Sequence, residues 1–381
     1  MMGERTVAQE ALFYEFSLER HVPATHLLRA IDRFVDLSGI RAHLRPFYSE
    51  TGRPSIDPEL MIRMLLIGYC FGIRSERRLC EEVHLNLAYR WFCRLGLEGD
   101  VPDHSTFSKN RHGRFRESDL LRELFETTVR CCMAEGLVGG EGFAVDASLI
   151  RADANKQRSA EASEPVDWDE LARTMLDRTQ KRFGLWPARL AADSAYGSAE
   201  NLAWLVHERG IEPHIPVFDK SRRSDGTFSR SDFAYDHARD LYTCPAGKEL
   251  RPRQKAYRTE RPLVDAEGMM RYRASKFDCD ACLLKPQCSP NMPARKILRS
   301  IHEGARDMAR DIAETDAYVT SRRERKKVEM LFAHLKRILR LDRLRLRGPN
   351  GARDEFHLAA SAQNLRKLAK LLPNGPQFRP A

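Results

Sequence analysis

The sequence predicts an α/β protein in which an all-helical domain precedes the part that contains the sheet. Three observations predict this class. Residues 1–135 contain successive helix-start signals and apolar runs of helical length. Short apolar segments of strand type begin after Gly139 and Gly140. Long helices with an apolar stripe then follow at 318–341 and 358–372.

Length and charge narrow the class of protein further. The chain has 381 residues, which favours more than one domain, and a formal net charge of +10. A positive surplus favours a polyanionic partner, because each neutralised phosphate releases counterions. A basic protein without such a partner is the alternative. No apolar run is long enough to cross a membrane and no signal peptide is evident, so we expect a cytoplasmic protein without a membrane partner.

The N-terminal region predicts a helical DNA-binding domain. Asp57 and Pro58 start one helix, Ser75 starts the next, and a third runs from near Asn86 to Gly96. Asp103 then starts a basic helix, whose cationic side chains are Lys109, Arg111, His112, Arg114 and Arg116. Short helices with basic turns suit a helix-turn-helix. The alternative is a plain helical bundle with solvated arginines.

Two aspartates occur in short apolar segments, where a carboxylate is energetically unfavourable. Asp146 lies in the apolar segment 139–150, and Asp193 ends a second short strand at 188–193, with a helix predicted over 168–183 between them. A carboxylate in an apolar strand costs several kcal/mol unless it is compensated. Mg²⁺ supplies such compensation, since it prefers hard oxygen ligands. For either residue alone, a helix-cap or turn aspartate at a strand end is the favoured interpretation.

Glu329 lies in the predicted helix 318–341 between two cations. On a helical wheel Arg325 falls about 40° from Glu329 and Lys336 about 20° to the same side. The apolar side chains occupy a separate arc, namely Val328, Leu331, Leu335, Ile338 and Leu339. Glu329 can therefore complete a metal site next to bound phosphate, whereas the simpler interpretation is an Arg325–Glu329 surface pair.

These motifs together resemble the DDE transposases of bacterial insertion sequences, which have an RNase H-like catalytic core. The resemblance covers nearly the whole chain. It rests on GRPSIDPELMIRMLLIGYCFGIRSERRLCEEV and VPDHSTFSKNR in the helical region, FAVDAS and LAADSAYGSAENL around the aspartates, RERKKVEMLFAHLKR around Glu329, and LAASAQNLRKLAKLL near the end.

The resemblance implies a mechanism and partners. Asp146, Asp193 and Glu329 would be catalytic and hold two Mg²⁺ or Mn²⁺ ions. Arg325 and Lys336 would contact DNA phosphates, as would Arg322, which stands where the family often has tyrosine. The substrates would be the terminal inverted repeats of the element and the target DNA, and the protein would act as a homodimer assembled on DNA.

The resemblance also predicts the domain organisation. It divides the chain into a helical domain (1–135), an RNase H-like core (139–218 and 300–372), a cysteine-containing basic insert (219–299) and a tail (373–381). Only 46 residues separate Asp146 from Asp193. They show no hairpin pattern, so we expect a truncated core that lost this hairpin. Two alternatives to an active transposase stay open: a DNA-binding remnant without catalysis, and an unrelated nucleic-acid-binding protein stabilised by zinc.

The insert contains four of the nine cysteines: Cys244, Cys279, Cys282 and Cys288. Four thiolates suit a tetrahedral Zn²⁺, and reduced structural thiols are the alternative. The other five, in apolar helical surroundings, are expected to be inert packing residues. Residues 321–347 contain eleven Lys or Arg and three acids, which predicts a DNA-backbone track around Glu329.

Overall fold

The computed structural model describes residues 16–49, 51, 55–113, 115, 118–148, 150–151, 167–217, 223–252 and 262–375. They form two compact units. The helical unit comprises the described residues of Met1–Gly139, Ser148–Ser163 and Glu329–Ala381, and the sheet unit comprises those of Gly140–Ala147 and Glu164–Val328. The predicted class, mixed helix and sheet behind a helical region, is confirmed.

The helical unit contains these helices in chain order: α1 Leu18–His21, α2 Leu27–Asp32, α3 Ile40–Leu44, α4 Pro58–Cys70, α5 Glu76–Leu85, α6 Leu87–Phe92, α7 His104–His112, α8 Leu120–Ala134 and α15 Gly348–Leu371. Helix α14, Asp316–Arg337, begins in the sheet unit and ends in the helical unit. The C-terminal α15 packs on α8, α4 and α2, and its Leu358 and Leu365 lie in their common core.

Capping side chains begin four of these helices where the sequence predicts them. The Asp57 carboxylate accepts a hydrogen bond from the Glu59 amide, with Pro58 in the first helical position. Ser75 and Asn86 cap α5 and α6 in the same way, and Asp103 caps α7. Each cap satisfies an amide that has no partner within its helix. The predicted burial of α4 is also confirmed.

Two helix boundaries differ from the predictions. Helix α6 ends at Phe92 rather than at Gly96, and Arg94 adopts the left-handed conformation with φ 59°. Helix α15 begins at Gly348, ten residues before Leu358. The predicted apolar face of α14 is only partly confirmed, because Leu335 and Leu339 are buried whereas Leu331 and Ile338 are exposed. The helix itself ends at Arg337.

A parallel sheet of three strands organises the first half of the sheet unit. Its order is β1 (Gly142–Ala144), β2 (Arg189–Ala191) and β3 (Glu212–His214). The surrounding helices are α9 Trp168–Phe183, α10 Ala199–Ala203, which continues as a π-helical turn over Trp204–Glu208, and α13 Glu303–Ala313. The predicted helix 168–183 is confirmed, and β1 and β2 are shorter than the predicted strand segments 139–150 and 188–193. No strand lies between β1 and α9 in the described residues, but 149 and 152–166 fall outside them, so truncation of the core stays a prediction.

An antiparallel sheet of five strands forms the second half of the sheet unit. Its strands are β4 Ala234–Asp236, β5 Leu241–Thr243, β6 Glu249–Arg251, β7 Met269–Ala274 and β8 Lys296–Ser300, in that spatial order. Two short helices, α11 Lys276–Asp280 and α12 Lys285–Cys288, lie between β7 and β8. The sequence indicated no strands here, because the segments are short and rich in arginine.

Candidate active site

The parallel sheet places the two aspartates at matching positions. Gly142 pairs with Arg189 and Ala144 with Ala191, and the Val145 amide donates to the Ala191 carbonyl at 2.9 Å. Asp146 and Asp193 each follow the last residue of their strand by two positions. Since the carboxyl ends of adjacent parallel strands meet at one edge, the two carboxylates belong to the same edge of the sheet.

The local setting of Asp146 corrects one prediction. Asp146 lies beyond β1 rather than inside it, and β1 is largely exposed instead of buried. Both aspartates are half-buried. The Asp193 carboxylate caps the 3₁₀ turn Ser194–Tyr196 by accepting from the Ala195 amide at 2.9 Å. The desolvation cost is therefore smaller than for a strand interior, and both groups are open to solvent.

Tyr196 belongs to the same edge, and no sequence pattern assigned it a role. Its ring is buried in an edge-on contact with Trp168, with ring centroids 5.8 Å apart. Its hydroxyl is buried and has no hydrogen-bond partner among the described residues. Burial raises the pKa of Tyr196, and the charges of Asp193 and Asp146 raise it further. Both carboxylates therefore act electrostatically on one protonated phenol. In the sequence, the one feature that could have associated Tyr196 with this edge is its position three residues after Asp193.

The third predicted motif lies on α14. Glu329 and Arg322 are exposed, and Arg325 is half-buried. In the helical unit, the half-buried Lys336 donates from Nζ to the Ser148 hydroxyl at 2.6 Å. This contact holds the ammonium group in a defined position and was not foreseen. The structure thus pairs Asp146 with Asp193 in the sheet unit, whereas Glu329 belongs to the helical unit.

The donor sets differ in how well they fit a metal ion. Asp146 and Asp193 offer the hard oxygens that Mg²⁺ and Mn²⁺ prefer, at one sheet edge and accessible to water. The four insert cysteines line one cavity of about 30 Å³. Within the described part of the chain, however, no group of three or more His, Cys, Asp or Glu side chains is arranged to hold a metal ion.

The predicted DNA-binding helix α7 requires one correction. Lys109 and His112 are exposed, as a DNA contact needs. Arg111 is instead buried, where it pairs with Glu76 at 2.9 Å and donates to the Tyr69 hydroxyl at 2.9 Å. It therefore holds α7 against α5 and α4 and is unavailable to DNA. Arg114 and Arg116 lie outside the described residues.

Comparison with known families identifies the class of protein. Residues 16–113 match a family described as a transposase domain (DUF772), and residues 243–369 match one described as a transposase DDE domain. The chain therefore carries two transposase domains. It belongs to the DDE transposases of insertion-sequence type. The second match includes Glu329 with its flanking cations, whereas Asp146 and Asp193 lie between the two matches.

No solved structure matches this chain. Among the described residues, none of the helices combines the length and the apolar character that a membrane span requires.

Proposed function

We propose that this transposase cleaves DNA strands at the ends of an insertion sequence and joins them to target DNA. Asp146, Asp193 and Glu329 are its catalytic carboxylates in this proposal. The observation that carries it is the register of β1 and β2, which gives the two aspartates equivalent positions at one sheet edge. The match of a DDE domain to the segment around Glu329 supports the third residue.

The chemistry is an in-line substitution at phosphorus. The oxygen of water, or later of a freed 3′-hydroxyl, bonds to phosphorus while the opposite phosphorus–oxygen bond breaks. Mg²⁺ or Mn²⁺ would supply Lewis acidity for this reaction when bound. The three carboxylates would hold the cations, and Asp193 keeps its orientation through the cap on Ser194–Tyr196. Arg322, Arg325 and Lys336 contact phosphate oxygens and align the strand.

The proposed setting of the reaction follows from the same assignment. The substrates are the terminal inverted repeats and the target DNA, and the protein works as a homodimer on DNA in the cytoplasm. The exposed Lys109 and His112 of α7 contribute DNA contacts within the predicted domain 1–135. The net charge of +10 supports a polyanionic substrate.

A strand-cleavage assay on DNA that carries the element's own ends, with Mg²⁺ or Mn²⁺, tests the proposal. We expect Asp193→Asn to reduce cleavage at least about a hundredfold, since it removes a ligand charge while asparagine still caps the turn. The matched control is Asp177→Asn, which removes an exposed carboxylate of α9 paired with Arg209 at 3.0 Å and leaves cleavage unchanged. Equal cleavage by wild type and Asp193→Asn would refute the catalytic assignment.

A second candidate function is DNA binding without catalysis. The observation that favours it is the short span of only 46 residues between Asp146 and Asp193, in which the sequence shows no hairpin pattern. This alternative predicts that wild type binds the element's ends but cleaves them no faster than Asp193→Asn does. The same assay, combined with a binding measurement, therefore separates the two functions.

A further inference from the structure

The four cysteines of the insert come from two separate segments of the sheet unit. Cys244 lies in the turn between β5 and β6, while the other three lie in the helical segment between β7 and β8. All four nevertheless line the same cavity of about 30 Å³. Every cysteine in the chain is a free thiol.

The turn at Cys244 brings a backbone amide within hydrogen-bond distance of the cysteine sulfur. The Cys244 amide donates to the Lys248 carbonyl at 2.9 Å, and the Gly247 amide donates to the Cys244 carbonyl at 2.8 Å. Gly247 has φ 72°, a conformation that favours glycine. This turn directs the Lys248 amide to Cys244 Sγ at 3.3 Å. An amide that donates to sulfur bonds more strongly to a thiolate than to a thiol, since the acceptor is then charged.

The segment between β7 and β8 holds its three cysteines by consecutive turns. The Cys279 amide donates to the Ser275 carbonyl at 3.1 Å, the Cys282 amide to the Cys279 carbonyl at 3.3 Å, and the Lys285 amide to the Cys282 carbonyl at 3.2 Å. These turns fix the backbone at Cys279 and Cys282, which line the cavity together with Cys288 and Cys244.

Arg295 provides a second, independent indication of a charged occupant. It is 6% exposed and lines the cavity. Its two terminal nitrogens donate to the carbonyls of Cys288, at 2.9 Å, and Phe228, at 2.7 Å. Its Nε is buried and has no partner among the described residues. A buried donor without an acceptor is costly, and a metal thiolate in this cavity would provide an anionic acceptor.

We propose that Cys244, Cys279, Cys282 and Cys288 bind one Zn²⁺ ion as four thiolates. As the side chains stand, they do not form a closed metal-binding group. Binding would therefore require the cysteine side chains to rotate about χ1, which changes each sulfur position without moving the backbone. Zn²⁺ is the favoured ion because four thiolates form a tetrahedral soft-donor site, and such closed sites are structural rather than catalytic.

The charge balance and the small local core agree with this role. Four thiolates and Zn²⁺ carry a net charge of −2. The cavity is also lined by three cations and one acid, which together offset that charge: Arg295, Lys248, Lys285 and Asp278. The antiparallel sheet has a small buried core, made of Phe233, Tyr242, Leu250, Tyr272, Ala274 and Ile297. A zinc ion would tie the β5–β6 turn to the β7–β8 segment and stabilise this sheet.

Elemental analysis of the full chain, purified under reducing conditions without chelators, tests the proposal. We expect about one zinc per chain in the wild type. The zinc content of Cys282→Ser should fall close to zero, because three thiolates hold zinc much more weakly than four. The matched control is Cys131→Ser, which removes a half-buried thiol from α8 in the helical unit and should retain the zinc.

Cobalt substitution of the wild type keeps the proposal testable even when Cys282→Ser does not fold. Co²⁺ bound by four thiolates gives intense thiolate-to-metal absorption and tetrahedral visible bands, which we expect and which zinc should abolish. Absence of both zinc and these bands overturns the proposal. Equal zinc in wild type and Cys282→Ser also overturns it, as does finding the four cysteines joined in disulfides by alkylation and mass spectrometry.

Discussion

Glu303 shows how a single buried carboxylate depends on its neighbours. It is 1% exposed and accepts from Arg230 at 2.7 Å, Arg310 at 3.0 Å and Arg306 at 3.1 Å. Burial raises the pKa of Glu303, but the three guanidinium groups outweigh it, and the net shift is downward. The ionised form is therefore the one that stabilises the sheet unit.

The first prediction concerns Glu303→Gln. It leaves three guanidinium groups around a neutral side chain, and breaking such a buried arrangement costs about 3–5 kcal/mol. Because the folded-state pKa is lowered, this stabilisation is fully present above the unfolded value of 4.5 and is lost as pH falls through the lower folded value. Urea unfolding should give a lower free energy of unfolding for Glu303→Gln than for wild type at pH 7, and this difference should be smaller at pH 4.

The control for this prediction is Glu314→Gln, which removes an exposed carboxylate just after α13. It should change the free energy of unfolding by less than about 0.5 kcal/mol at both pH values. The prediction would be contradicted if Glu303→Gln lowered the free energy of unfolding at pH 7 by no more than Glu314→Gln does.

Single residues also show what the sequence could and could not reveal. The motifs around Asp146 and Asp193 located the two strands, because glycine-rich turns and short apolar runs are local signals, but they placed Asp146 inside β1 rather than beyond it. The burial of Arg111 was not predictable, since its partner Glu76 lies 35 positions earlier and only the packing of α7 on α5 joins them. The same holds for Lys336 and Ser148, which are 188 positions apart.

At the scale of elements, Gly72 between α4 and α5 provides a second prediction. Its φ is 68°, and a Cβ atom there would lie 2.9 Å from the Ile338 carbonyl oxygen. Gly136, after α8, has the same φ, but a Cβ atom there would meet only open space. Both glycines belong to the helical unit, so the pair separates backbone conformation from steric contact.

We expect Gly136→Ala to cost about 1–2 kcal/mol through its left-handed backbone alone. Gly72→Ala should cost a further amount of about 1–3 kcal/mol, because the carbonyl must move away. Denaturant unfolding of both variants measures the difference in free energy. Equal losses would show that the carbonyl contact does not restrict this position.

Elements with a signal in a few neighbouring residues were predicted correctly, and elements without such a signal were missed. Helix starts at Asp57, Ser75, Asn86 and Asp103 were correct, since a cap needs only the side chain and the next three amides. The five-stranded antiparallel sheet was missed because β4, β5 and β6 have only three residues each, too few for an alternating apolar pattern to be recognised. The early start of α15 was missed because Pro349 and Gly351 suggest a loop in isolation.

At the scale of the whole molecule, the central question is whether binding and cleavage occur together. The two aspartate motifs predicted the strands β1 and β2, and the structure adds that these strands pair in parallel with a common register. The third carboxylate, Glu329, belongs to the helical unit and was predicted from the cations that flank it on α14. Binding is therefore best tested independently of cleavage, through its dependence on salt.

The last prediction concerns DNA affinity measured by fluorescence anisotropy over a series of salt concentrations. With a net charge of +10, wild type should lose affinity steeply as salt rises, because phosphate contacts release counterions. Arg322 is exposed on α14, and Arg322→Ala should reduce the slope of log affinity against log salt by about 0.9 if it neutralises one phosphate. Arg178→Ala changes the net charge equally at an exposed position on α9 and should leave the slope unchanged. Equal slopes for wild type and Arg322→Ala would remove Arg322 from the phosphate contacts, whereas equal reductions in both variants would show that only total charge matters.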